Sequence, residues 1–310
     1  MYFLKNIFNG ILIGVANVIP GLSGATIALI LGIYEKLINV ISSINKKSLN
    51  NIYKIKLKQV YQDFSLEFLI PIIIGIILSA ILFAQALEYF ELLEKNKEFT
   101  LSYFFGLILA SIPVIIKMIP KWKNKHILLF LIGSIIAITI AIIPGFQNEN
   151  NNLIFIFFCG LIGIIGMVIP GLSGSYLLLI LGNYNLLVKD SINQFYKDTD
   201  SLIYLVVFLL GMVFGIITLA KMISWLFKKF REETLAIIVG FVLGSLIFIW
   251  PIRSEGPTAF LEIIIPIQDE LNQSGSIIYY IKNNFHLLFF ILAGFVSLIV
   301  IEYFSTKKHV

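Results

Sequence analysis

Charged residues are scarce in this chain. Asp, Glu, Lys and Arg make up 13% of its 310 residues, about half of the roughly 25% that a soluble globular domain carries. That shortage excludes an ordinary cytosolic enzyme, a disordered chain and a nucleic-acid-binding domain. Cysteine is nearly absent too: Cys159 alone, set in an apolar run, can form neither an internal disulfide nor a thiolate metal site. The three histidines, His126, His286 and His309, lie far apart without ligand-like spacing. No Ser/His/Asp arrangement, paired-carboxylate motif, P-loop or HExxH helix is present, so a catalytic role, a metal and a cofactor are not expected.

What the chain does have is apolar length. Hydrophobic residues are 58% of the total and mean hydropathy is +0.94, the profile of a protein whose main solvent is lipid and whose apolar runs of about 20 residues span it as helices. It also repeats itself. Residues 18–38 and 168–188 are identical at thirteen of 21 positions, including an unbroken Val-Ile-Pro-Gly-Leu-Ser-Gly from Val18 to Gly24 and from Val168 to Gly174. A fainter match follows, Phe105 to Ser111 against Val239 to Ser245. The chain therefore reads as two homologous halves, 1–150 and 151–310. Each has one Pro/Gly-broken segment and three long apolar ones, at about 67–92, 100–119 and 126–144, then about 202–227, 234–250 and 285–304.

The broken segments, about 7–34 and 153–187, fix the topology. Gly10 to Ile19 and Ala25 to Tyr34 offer about ten residues on each side of the break, roughly 15 Å of helix, too short to cross a hydrocarbon core of about 30 Å. Basic residues choose between a kinked span and a re-entrant hairpin. With hairpins and an internal N-terminus, sixteen of the 23 Lys and Arg fall inside, among them Lys36, Lys46, Lys47, Lys117, Lys121, Lys228 and Lys308, whereas kinked spans put residues 36–58 and 117–125 outside. The expected architecture is an all-α polytopic membrane protein, six spans plus two re-entrant hairpins, both termini cytoplasmic. Three spans per half is odd, so the halves are inverted relative to one another, an arrangement that recurs in transporters with midplane sites. The stretch before Gly14-Val15-Ala16 could pass for a secretory signal, but its counterpart recurs internally before Pro170, which favours a hairpin. Asn45 to Phe64, basic and amphipathic, is expected to lie along the inner surface among anionic membrane lipids.

Chemistry concentrates at the breaks. Proline removes a backbone donor and glycine admits conformations closed to other residues, so Pro20-Gly21 and Pro170-Gly171 end the helix. The next half-helices start at Ser23-Gly24-Ala25-Thr26 and Ser173-Gly174-Ser175, where free N–H groups, a dipole end and hydroxyls suit an anion such as phosphate. A serine N-cap in a tight turn is the structural alternative. Lys221, the one basic residue well inside an expected span, is a second candidate for anion contact, with snorkelling as the alternative. Its first-half counterpart is Gln85; Glu88 and Glu91, near the outer end of that span, read as headgroup-level acids.

The doubled heptapeptide with the following Leu-Ile-Leu-Gly-x-Tyr, and the run from Phe104 to Pro113, resemble the bacterial polyprenyl-phosphate transporter family, formerly catalogued as a domain of unknown function. The resemblance covers nearly the whole chain. It implies a flippase of the cytoplasmic (inner) membrane that moves undecaprenyl phosphate from the outer to the inner leaflet, recycling the carrier lipid of cell-wall and surface-glycan synthesis. Carried over with it are Pro20, Gly21, Ser23 and Gly24 and their counterparts Pro170, Gly171, Ser173 and Gly174. A channel or secondary carrier for a small soluble anion is the competing reading. The coupling ion, proton or sodium, stays open.

Overall fold

The structure, a computed structural model, describes residues 2–18, 23–89, 97–143, 145–146, 148–194, 196–249 and 285–306. Every regular element among them is helical. In the first half these are α1 (Tyr2–Val18), α2 (Gly24–Ile30), α3 (Tyr34–Ser42), α4 (Lys46–Tyr53), α5 (Leu57–Asp63), α6 (Leu66–Tyr89), α7 (Lys97–Lys117) and α8 (Asn124–Ile142). In the second they are α9 (Leu153–Val168), α10 (Gly174–Ile180), a π-helical stretch Asn185–Asp190 running into α11 (Ser191–Gln194), α12 (Thr199–Lys229), α13 (Arg231–Ser245) and α14 (Phe285–Thr306). Among the described residues, four helices are long and apolar enough to cross a membrane, within α7, α8, α12 and α14; two bent pairs, α2 with α3 at 115° and α5 with α6 at 73°, bring the number to six if each is one span. The chain is an all-α, multi-pass membrane protein.

Two compact units divide it, and each draws on both halves of the sequence. Met1–Ile81 with Gly145–Thr234 form one, Leu82–Pro144 with Leu235–Val310 the other. The first holds both broken segments together with most of α6 and all of α12. Within each unit long helices pair through glycines that face the partner's backbone. A Cβ at Gly10 of α1 would strike Ile72 of α6, and one at Gly75 of α6 would strike Ile7; Gly160 of α9 and Gly211 of α12 meet in the same reciprocal way. In the second unit Gly106 of α7 faces Gly294's helix α14, and Gly133 of α8 faces Gly240's helix α13, again reciprocally. Small residues let backbones approach closely, and in lipid, where burial of apolar side chains gives no net gain, that contact is what holds helices together. Exchanging the repeats carries α7·α14 onto α13·α8 and α1·α6 onto α9·α12.

Three details differ from the sequence reading. The arm before each break is longer than about ten residues: α1 has 17 and α9 has 16, about 25 Å of helix, because nothing between Tyr2 and Gly10 interrupts it. Only the second arm is short, seven residues in α2 and in α10. The segment 45–64 is two helices, α4 and α5, broken at Ile55, whose φ is +51°; Tyr53, Ile55 and Leu57 are exposed there beside Lys54, Lys56 and Lys58. Lastly, α13 ends at Ser245 and turns continue to Ile249, where the expected span runs to 250.

Two predictions follow from these contacts. Gly106→Leu or Gly294→Leu pushes a side chain into the facing carbonyl, and thermal melts in detergent are expected to show a loss of about 1–3 kcal/mol; an unchanged Tm would mean that the pair does not need its close approach. Asp198, N-cap of α12, accepts from the Ser201 hydroxyl at 2.8 Å and the Ser201 amide at 2.9 Å. These bonds hold its carboxyl below the usual carboxylate range, the hydroxyl bond contributing most. The cap's contribution is thus complete above the unfolded carboxyl's pKa near 4 and is lost as pH falls through the lower folded value. Asp198→Asn, which keeps an acceptor but does not titrate, should flatten the acid limb of the stability curve.

Candidate functional site

The second copy of the motif shows how the turn is made. At the end of α9 the Ile169 amide donates to Ile165 O at 2.9 Å, and Leu172 N closes a turn onto Ile169 O at 3.2 Å. Gly171 sits at φ +86°, a left-handed conformation that glycine takes without strain. Ser173 is extended, at φ −113° and ψ 119°, and α10 starts at Gly174. The two arms then pack so closely that a Cβ on Gly166 would meet the Gly174 backbone, and one on Gly174 the Gly163 carbonyl. In the first copy Pro20 and Gly21 lie outside the described residues. Ser23 repeats the extended geometry, φ −124° and ψ 118°, ahead of Gly24 and α2.

Both serines occupy the N-cap position, and neither hydroxyl caps its helix. Elsewhere this protein caps in the ordinary way: the Asn152 side chain accepts from Ile154 N at 2.9 Å, and Asp198 caps α12. Ser23 is 4% exposed, and its Oγ is buried without a hydrogen-bond partner, a state that costs about 1–3 kcal/mol. Ser173, equally buried, shares a 3.0 Å hydrogen bond with the half-buried Ser175 hydroxyl. With only seven residues behind them, these helix starts act through their first N–H groups more than through a long macrodipole.

The two copies meet. The Gly171 amide donates to Thr26 Oγ1 at 2.9 Å, a buried bond across 145 residues of sequence. Alongside it the Tyr34 hydroxyl donates to Val168 O at 2.9 Å, while the Tyr34 ring stands edge-on to Phe227. Thr26, expected as one more donor to an anion, instead accepts a bond that joins the copies. Gly24 N is also engaged, donating to Asn17 Oδ1 at 2.9 Å. Asn17 and Tyr34 were missed by the sequence reading, although Tyr34 belongs to the repeated Leu-Ile-Leu-Gly-x-Tyr and an asparagine three residues ahead of Pro20 was a usable signal. Ala25 is half-buried beside Thr26, and Lys221 is exposed on α12. Glu91 and the side chains of Gln85 and Glu88 lie outside the described residues.

Past the hairpin lies an open groove of about 600 Å³, lined by Glu35, Lys36, Asn39, Ser43, Asp63 and Ser65 among others. Its acids are engaged: Arg231 pairs with Glu35 at 2.8 Å, and the Asn51 amide donates to Asp63 at 2.9 Å. The Ser224 hydroxyl donates to Asn39 Oδ1 at 2.7 Å, tying α12 to α3. Lys36 stands 4.2 Å above the Phe68 ring centre and donates to the Tyr2 hydroxyl at 2.8 Å. Among the described residues, no group of three or more His, Cys, Asp or Glu could hold a metal ion.

Residues 13–260 match the family model described as VCA0040-like, undecaprenyl phosphate translocase-like. A polyprenyl-phosphate transporter of Vibrio cholerae is 34% identical over 252 residues, 81% of this chain and 79% of that one. Another protein of the same name, from Staphylococcus aureus, is 31% identical over 257 residues, 79% of this chain and 86% of its own length. No solved structure matches the chain. With a family model covering most of its length and relatives this similar along about four fifths or more of theirs, the chain belongs to the undecaprenyl phosphate translocase-like family of membrane transporters.

Proposed function

We propose that this protein carries undecaprenyl phosphate from the outer to the inner leaflet of a bacterial cytoplasmic membrane, returning the carrier lipid for reuse. The observation that carries the reading is the meeting of the two motif copies around hydroxyls that are buried and not spent on capping. A lipid phosphate has an anionic head that needs donors at membrane depth and an apolar tail that can stay in lipid. Ser23 and Ser173, with the adjoining Ala25, Gly174 and Ser175, supply the donors, while Gly24 N is held by Asn17; Pro20, Gly21, Pro170 and Gly171 make the breaks that place them. Lys221 serves best as a basic residue on the lipid-facing side of α12.

Exchange of the repeats maps each glycine-closed helix pair onto another, which supports two halves of one ancestry. Three spans in each then set them inverted, with both broken segments re-entrant and the termini on the basic, cytoplasmic side. The names of the relatives favour a lipid over a small soluble anion as the cargo.

The test is leaflet exposure of polyprenyl phosphate in proteoliposomes. Ser23→Ala with Ser173→Ala is expected to slow flipping at least tenfold without loss of folded protein, and unchanged flipping would sink the assignment. A second variant probes the link between the copies. Thr26→Val deletes the acceptor of the buried Gly171 amide and should cost about 1–3 kcal/mol, whereas Thr26→Ser keeps the acceptor and should melt near the parent; equal Tm values for the two would show that the bond is dispensable.

A further inference from the structure

The two hairpins share a burial pattern but not a polarity. From residue 5 to 17 in α1 and from 155 to 167 in α9, buried, half-buried and exposed positions follow in the same order. Equivalent positions therefore have equivalent surroundings. In α9, Ile156 and Cys159, 0% and 1% exposed, pack with Leu178, Leu187 and Phe208 in an apolar core. Their counterparts in α1 are Asn6 and Asn9, each 3% exposed. The side-chain nitrogens of both are buried without a hydrogen-bond partner. Two orphaned amides where the sister hairpin has a complete apolar core are a costly choice if they serve packing alone.

Three more exchanges run the same way: Lys36 stands for Leu186, Asn17 for Met167, and the smaller Ala28 for Leu178. On α1 the polar positions are also aligned. Tyr2, Asn6, Asn9 and Asn17 are spaced i, i+4, i+7 and i+15, which keeps them within an arc of about 80° along roughly 22 Å of helix, with the buried Ile13 on the same face. One end of this stripe is Tyr2, in contact with Lys36 and so with the edge of the open groove. At the other, Asn17 holds Gly24 N beside the unpartnered Ser23 hydroxyl. The atoms left without a partner along it are donors: the Asn6 and Asn9 side-chain nitrogens and, at its end, the Ser23 hydroxyl. Amide NH2 groups, a serine hydroxyl and an ammonium group are donors, and a phosphate monoester offers several strong acceptor oxygens and no need for a carboxylate.

We infer that the Asn6–Asn9 face of α1 is the lane along which the lipid phosphate passes between Ser23 and the Lys36 groove. Helix α1 of the first hairpin conducts the headgroup; the second contributes Ser173 at the break and, with the apolar core of α9, the frame that holds the first in place. The identity of the ligand rests on the transport reading above, while the division of labour between the hairpins rests on this comparison.

The test transplants the sister hairpin's own residues. Asn6→Ile with Asn9→Cys, in the full chain in nanodiscs, is measured for equilibrium binding of farnesyl phosphate, with farnesol as the phosphate-free control, and for flipping in proteoliposomes. Farnesyl phosphate binding and flipping are expected to fall at least tenfold, with farnesol binding unchanged and Tm equal or raised, since two orphaned amides have gone. Asn9→Asp keeps shape and polarity while replacing donors with a negative charge, and should lose binding likewise if the double variant folds poorly. Binding and flipping within twofold of the parent in both variants would overturn the lane. If Ser23→Ala with Ser173→Ala abolishes binding in the same assay, only the lane has failed; if those serine variants also bind normally, the transport reading fails with it.

Discussion

Lipid supplies no hydrogen bonds, so a helix broken at membrane depth must find partners for its freed backbone groups inside the protein. Much of the first compact unit answers that demand. The Gly171 amide, released when the helix breaks, is met by Thr26 from the other copy, and the Val168 carbonyl is met by Tyr34. The Gly24 amide is met by Asn17 from the preceding arm. The second break is thus satisfied partly by residues of the first copy, and the first by its own preceding arm. Only after those bonds are counted does the Ser23 hydroxyl stand out as a donor with nothing to hold.

The sequence carried the breaks plainly, because proline and glycine act locally and their doubling at a fixed offset is hard to produce otherwise. The helical class and the apolar runs were equally legible, since hydropathy needs no tertiary information. Contacts between distant residues were not. Nothing in the spacing of Thr26 says that its oxygen accepts from a glycine 145 residues away, and a serine before a half-helix looks the same whether it caps the helix or leaves its hydroxyl unspent. The length of α1 was misjudged because the eye stops at Gly10, whereas a glycine that faces a neighbouring helix sits comfortably within a helix of its own. Asn6 and Asn9 became informative only when burial placed them on the positions of Ile156 and Cys159.

Duplication gives this chain a built-in control. The two broken segments keep the same turn residues in sequence, the same left-handed glycines at Gly32 and Gly182 and, along α1 and α9, the same order of buried positions, so a difference in residue type at one of those positions stands out. Polarity is where they depart. A single hairpin with buried asparagines would invite many explanations; a pair in which one has them and the other has isoleucine and cysteine narrows the field to what differs in their work.

The reciprocal glycines have a mechanical side. A pair such as α7 and α14, in which each helix presents a glycine to the other's carbonyl, has no slack for rotation or axial slip, because either motion would bring a side chain to the place the glycine leaves open. Each pair then behaves as one double-width strut. The stiffness of each strut comes from residues with no side chain at all.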